Sequence, residues 1–245
     1  MINSAQLPAV SQTLQNQAFL HGNIGALFKS DPTRCRSWNN FAQSWYDLKQ
    51  DEYMGDGGTY RFRRFSEFEL DQTTRALSPL PHGPYRQSKE DNYLNGDINR
   101  LYWPMLDCVQ SNEAFRQVLF GFADVMTSFV PASNWLVQVF QNPILATNGC
   151  LGKPTPEGVH RDGVDFVLSL MIDRGNVDGG ESFTYAQDGK TLLASVTMKN
   201  AGDFIFLNDQ LMKHSVQPIS RTDPVKVGYR DVLIAMFTQR SKESV

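Results

Sequence analysis

His160, Asp162 and His214 are the residues whose types and spacing point most directly to chemistry. Two imidazoles and one carboxylate are the ligand set of a non-haem iron(II) centre that keeps its remaining positions open. They come from two short segments, Pro156-Glu157-Gly158-Val159-His160-Arg161-Asp162-Gly163 and Asn208-Asp209-Gln210-Leu211-Met212-Lys213-His214. In a strand successive side chains alternate faces, so His160 and Asp162 can point one way while Arg161 points the other. His214 must arrive from a later strand, and the intervening residues suffice for several hairpin-connected strands that fold it back. A His-x-Asp tripeptide alone is common, and context gives it weight here. The chain has only four histidines, His21, His82, His160 and His214, and two of them bracket one strand-rich block. Arg230 stands just before the apolar run at 231–237, where an anionic cosubstrate would need a partner.

Residues 154–237 resemble the core of the iron(II)- and 2-oxoglutarate-dependent dioxygenases. The stretch from Pro154 to Gly163 is similar to the bacterial branch that hydroxylates free L-amino acids, the L-isoleucine dioxygenase type. The match takes in His160-x-Asp162, the Asn-x-x-Gly-Gly-Glu of Asn176 to Glu181, the distal His214, and the Gly-x-Arg-Asp of Gly228 to Asp231. Upstream of about residue 130 it is much looser. The resemblance implies a mainly β fold with flanking helices around a double-stranded β-helix, a cupin-like jelly roll with the metal in its mouth. It also implies Fe(II), 2-oxoglutarate as cosubstrate and O2. The reaction implied is hydroxylation of a C–H bond of a free, aliphatic L-amino acid, with oxidative decarboxylation of 2-oxoglutarate to succinate and CO2. Two other outcomes stay open. One is desaturation, epimerisation or oxidative cyclisation at the same centre in secondary metabolism; the other is a non-enzymatic jelly-roll binding module.

Roles follow from that resemblance. His160, Asp162 and His214 are the metal ligands and hence the catalytic set. The distal carboxylate of 2-oxoglutarate calls for a cationic fork, because a planar guanidinium pairs with a carboxylate through two parallel hydrogen bonds. Arg230 is the first candidate, and Arg221, in a loop-like Ser-Arg-Thr-Asp-Pro stretch, is its competitor. Glu157 and Asp165 flank the ligand pair and could receive the second N–H of a metal-bound imidazole, contact the substrate, or be ordinary surface charge. Gln138 sits in an otherwise apolar run and shares alternation with Leu136 and Phe140, which favours an inward side chain reaching a ligand over a solvent-facing one. For the substrate carboxylate, Arg61 and Arg64 are candidates within Thr59-Tyr60-Arg61-Phe62-Arg63-Arg64-Phe65, although a cluster of arginines is as readily a solvated or ion-paired face. His82, in Pro-His-Gly-Pro-Tyr, is a lid residue or just a turn.

The elements that must position these residues are legible in outline. Ser37 to Lys49 carries Trp38, Phe41, Trp45 and Leu48 at spacings of three and four, which predicts an amphipathic helix. Asn112 predicts the cap of a second helix with an apolar face of Phe115, Val118, Leu119, Phe122, Val125 and Met126. Both faces suit packing on the outside of a barrel. From Trp135 onward the pattern changes to short β-rich runs at 135–140, 165–172, 182–185, 192–198, 204–207 and 232–237, each bounded by turn residues. The expectation is one dioxygenase domain over 1–245, with a mixed α/β region at 1–130 packing on a jelly-roll core at 131–240.

Composition agrees. At 245 residues, with 41% hydrophobic residues and sixteen phenylalanines, the chain can build a sizeable single core. A net charge of −3 gives no basic surface for nucleic acid or an anionic membrane, so the expected partner is a small molecule, a free amino acid or a derivative. Self-association as a homodimer is left open. Cys35, Cys108 and Cys150 form no Cys-x-x-Cys pattern, and Met1 to Leu20 has no apolar core flanked by positive charge. Both features predict a reduced, cytoplasmic protein.

Overall fold

Alternation decides the architecture. In the computed structural model, which describes residues 1–130 and 134–240, the second half of the chain folds into antiparallel strands whose odd and even residues serve two different interiors. The main sheet contains β1 (Phe19–Asn23), β2 (Lys49–Gln50), β3 (Phe62–Asp71), β4 (Ala76–Pro79), β5 (Asn134–Ala146), β6 (Phe166–Gly175), β10 (Asp203–Asn208) and β13 (Gly228–Gln239). Its order is β1-β10-β6-β13-β5-β3-β2, with β4 paired to β3. Facing it are a three-stranded sheet, β11 (Met212–Val216), β8 (Ser182–Ala186) and β9 (Leu192–Val196), and a two-stranded one, β12 (Ile219–Arg221) and β7 (Val177–Gly179). This is the jelly roll, and the mainly β class follows from it.

One face of the main sheet meets the helices. Val137 and Val139 of β5, Leu168 and Leu170 of β6, Phe206 of β10 and Leu233 and Ala235 of β13 are buried there. Against them lies α5 (Glu113–Thr127), following α1 (Leu7–Gln17), α2 (Ile24–Leu27), α3 (Arg36–Gln43) and α4 (Asp107–Gln110). Phe122 of α5 packs its ring on Phe204 and Phe206, with centroids 5.0 and 4.9 Å away. The alternate residues, Phe140, Val167, Met171, Ile205, Val232 and Met236, fill the barrel interior. The same period that builds the core therefore aims residues 230, 232 and 234 of β13 inward, toward the site.

Two local expectations are refined. The helix predicted over 37–49 stops at Gln43 and tightens into a 3-10 turn at Ser44–Asp47, still burying Trp38, Phe41 and Trp45. Asn112 caps α5, its Oδ1 accepting from the Phe115 N–H at 3.1 Å. The N-terminal region does more than pack on the barrel, because β1 pairs with β10 and β3 with β5, extending the main sheet itself.

Candidate metal and cosubstrate site

The ligand geometry starts from a backbone pair. His160 and His214 are directly opposed, exchanging N–H···O bonds of 3.0 and 2.8 Å, so both imidazoles leave the same side and their ring centroids lie 4.4 Å apart. Asp162 reaches them differently from the expected strand alternation. His160 is a single bridge residue, and the chain after it turns, with Gly163 at φ +81°. That turn is held from behind by Asp209, whose carboxylate accepts from the N–H groups of Asp162, Gly163 and Val164 at 3.0, 2.7 and 3.1 Å. The result brings one donor atom of each of His160, Asp162 and His214 within 4.8 Å of the others.

The two imidazoles are prepared unequally. His160 Nδ1 is 2.9 Å from the Gly158 carbonyl, which accepts its proton and leaves Nε2 free for a metal. Burial disfavours a charged His160, but Glu157 and Asp162 outweigh it and raise the pKa. Burial and the neighbouring His160 instead push His214 down to about 3, so it is neutral, the form that binds metal. Its Nε2 is 3.6 Å from Asp162 Oδ2, and its Nδ1 has no hydrogen-bond partner among the described residues, with Asp209 Oδ1 at 4.0 Å. Burial, followed by the charge of Asp162, raises Asp209 to about 7. A divalent cation would relieve this crowding of buried carboxylates and imidazoles.

Across the same cavity, of about 70 Å3, stands Arg230. It is 3% exposed, and its Nε has no partner among the described residues. Burial, then the charge of Arg174, lowers its pKa to about 10, so it remains a cation at neutral pH. An unpaired buried guanidinium is costly. The cost is understandable where an anion is to be received, and 2-oxoglutarate carries a carboxylate at each end. The donor set and this cation together fit Fe(II) and its cosubstrate.

A family model described as "2OG-Fe dioxygenase" matches residues 42–236. The chain belongs to this family. Its members use Fe(II), 2-oxoglutarate and O2, and the His160, Asp162 and His214 cluster could hold the iron. This dioxygenase is 23% identical over 165 residues to the 3(1)-hydroxy-L-isoleucine 4-dioxygenase of Pantoea ananatis, a match covering 66% of each chain. It is also similar in structure to a bsmA homolog from Methylobium petroleophilum, with a TM-score of 0.84, 25% identity, and coverage of 97% of this chain and 95% of the other. The Fe(II)/α-ketoglutarate-dependent dioxygenase TqaL shares the fold, with a TM-score of 0.75, 19% identity, and coverage of 98% and 89%.

The dioxygenase brings some candidate residues together and leaves others aside. Glu157 faces the triad, with Oε1 3.4 Å from His160 Nε2. Arg61 lines an adjoining cavity, paired with Asp51 at 2.8 Å. Arg221, at the end of β12, donates instead to the Pro224 carbonyl of its own loop and to Asn148 Oδ1 just after β5. Gln138 shares the interior face with Phe140 but spends its amide on Glu67 at 2.7 Å, so it reaches no ligand. Arg64 points to the opposite face and is used up by Asp47 and the Pro104 carbonyl. Asp165 accepts from the Gln239 N–H at 2.7 Å, tying down the end of β13 rather than a metal ligand. His82 Nε2 meets the Tyr102 carbonyl at 2.8 Å from an irregular segment.

Three residues of the site escape sequence reasoning: Asp209, Gln87 and Arg100. Gln87 donates to Asp162 Oδ1 at 3.2 Å. Only Asp209 carries a signal, a charged residue beside the apolar run at 204–207 and five positions before His214. Within the arginine cluster, Arg63 turns out to line both cavities.

Proposed function

We propose that this dioxygenase hydroxylates an unactivated C–H bond of a free, aliphatic L-amino acid while 2-oxoglutarate is oxidatively decarboxylated to succinate and CO2. The observation that carries the cosubstrate assignment is Arg230, a buried and unpaired cation across one cavity from the ligand cluster. The amino-acid assignment is supported by the likeness to the Pantoea ananatis enzyme, of which the chain spans about two-thirds. His160, Asp162 and His214 would hold Fe(II), and bound iron supplies the place where dioxygen is activated. Arg230 would take the distal carboxylate of 2-oxoglutarate through its fork. Apolar Val167, Val216 and Val232 line that cavity and would keep water from the cosubstrate.

An anaerobic titration with Fe(II) and 2-oxoglutarate, followed by the weak visible charge-transfer band of the chelated cosubstrate, tests the assignment. The wild-type protein is expected to develop the band, and His160→Ala, Asp162→Ala and His214→Ala to lose it. Arg230→Ala is expected to bind Fe(II) normally but to need on the order of 10- to 100-fold more 2-oxoglutarate. Unchanged cosubstrate affinity in that variant would remove Arg230 from the role.

A further inference from the structure

Beside the cavity that holds Arg230 lies a more compact one, of about 40 Å3. The two share Arg63, Glu157, Asp162 and Ile234, so they meet at Asp162, one of the three candidate metal ligands. Arg100, 1% exposed, lines the smaller cavity but not the larger. Its guanidinium lies over the ring of Tyr85, 4.8 Å from the centroid, and its Nη2 donates to Gln87 Oε1 at 3.0 Å. Asn92 donates to the same oxygen at 3.1 Å, which turns the Gln87 amide nitrogen toward Asp162. Arg100 is thus fixed relative to a metal ligand through one intervening side chain.

This cavity has unspent hydrogen-bonding capacity of two kinds. Among the described residues, Arg100 Nε and Arg61 Nη2 are buried donors with no partner, and Glu157 Oε2 is a buried acceptor with none. Both signs of charge are present as well. Arg61, Arg63 and Arg100 line the cavity together with Glu157 and Asp162, and Asp51 pairs with the first two arginines at 2.8 and 3.5 Å, so a ligand carrying one charge of each sign leaves the balance unchanged. Buried polar atoms normally find partners, so a ligand is the natural source of the missing ones. It must bring an anion to Arg100 and a cationic donor to Glu157. Tyr85, Phe140 and Met236 offer the apolar wall between them.

We propose that Arg100 anchors the α-carboxylate of the substrate and Glu157 receives its α-ammonium group, so that the site recognises the zwitterion of a free amino acid. This rests on the amino-acid hydroxylase reading above. It explains why Gln87 bridges Arg100 to Asp162: the carboxylate anchor and the metal would then keep a fixed separation, and that separation selects the carbon presented for oxidation.

The test uses Fe(II)-loaded full-length protein and free L-valine, L-leucine, L-isoleucine and L-methionine, each compared with its primary carboxamide and its N-acetyl derivative. Substrate-stimulated succinate formation is the readout. With the wild-type protein the carboxamide is expected to show a KM roughly 10- to 100-fold above that for the free acid, the worth of a charge-assisted pair, and the N-acetyl derivative to fail similarly. Arg100→Gln is expected to raise the KM for the free acid by the same factor. It should leave the cosubstrate requirement unchanged and the KM for the carboxamide within about twofold, because the carboxamide has no carboxylate to lose. Arg100→Lys, which keeps the charge without the fork, should fall between. A carboxamide as good as the acid, or an Arg100→Gln variant that weakens acid and carboxamide alike, overturns the anchor while leaving amino-acid hydroxylation intact. An N-acetyl derivative as good as the free amino acid overturns the role of Glu157. If the chelate band forms but no free amino acid stimulates succinate formation, the amino-acid reading itself fails and takes the anchor with it. The wild-type comparison of acid and carboxamide depends on no variant folding.

Discussion

Asp209 is 1% exposed, and its carboxylate spans two sides of the metal site. Three backbone N–H groups of residues 162–164 converge on it, and His214 Nδ1 lies 4.0 Å away. It therefore fixes the backbone at Asp162 and lies near His214 Nδ1, a nitrogen with no hydrogen-bond partner among the described residues. Outer partners of this kind typically change metal affinity by about 10- to 100-fold. Asp209→Ala is expected to weaken Fe(II) binding by about that factor in an anaerobic titration, with no ligand removed; affinity within about twofold of the wild type would reduce Asp209 to a scaffold for the fold. The contrast with the triad shows what a sequence exposes at this scale. His160, Asp162 and His214 are chemically rare types at a suggestive spacing. Asp209 acts on backbone amides 45 to 47 residues earlier, which no local pattern encodes. Gln138 shows the converse. Its face was legible from alternation, but its partner, Glu67, lies 71 residues away on a neighbouring strand.

Among the elements, β13 carries a tension beside Arg230, the residue proposed to receive the cosubstrate. It pairs with β5 on one side and β6 on the other, and its register against β6 shifts between Asp231 and Val232. The pairing sets Asp231 directly opposite Asp173, and like charges so placed disfavour the sheet. Burial first, then the charge of Asp173, pushes Asp231 up from 3.8 to about 7. A carboxyl whose folded pKa is raised stabilises the fold while it is protonated. That contribution is whole below about pH 4 and is lost as the pH climbs through about 7. Asp231→Asn, neutral at every pH, is expected to match the wild type near pH 4 and to exceed it by about 2 kcal/mol at pH 8, read from denaturant melts at both values. No gain at pH 8 would mean that the two carboxylates are already well solvated. The strand itself was legible from its apolar period. The opposition of the two aspartates was not, because it depends on a bulge that shifts the register by one residue.

At the scale of the whole molecule, the site is assembled from pieces far apart in the chain. His160 and Asp162 precede β6, His214 lies on β11, Arg230 on β13, and Arg100 on the irregular segment between β4 and α4. The jelly roll was legible because short alternating strands repeat through the second half. The contribution of residues 85–100 was not, since that stretch has neither period and is held largely by side-chain bonds such as Arg161 to Asp91 at 2.9 Å. The pairing of β1 with β10, about 180 residues apart, was equally silent. This assembly has a thermodynamic consequence. Without ligands the fold contains an Arg230 whose Nε has no partner among the described residues and crowded carboxylates and imidazoles, yet the His160–His214 backbone pair and the Asp209 clamp are made by the protein alone. Chelation should therefore leave the far-ultraviolet circular dichroism unchanged while lowering the melting temperature. Ligands that bind only the folded state at about 100 times their Kd add about 2.7 kcal/mol, which for a chain of this size is about 5–10 °C. Fe(II) with 2-oxoglutarate is expected to raise the Tm of metal-free protein by about that amount under anaerobic conditions. In Arg230→Ala the metal increment should persist and the 2-oxoglutarate increment should largely vanish. An equal 2-oxoglutarate increment in both proteins would place the cosubstrate's distal carboxylate elsewhere. Loss of the circular dichroism signal on chelation would make the metal a constituent of the fold rather than a guest in a finished one.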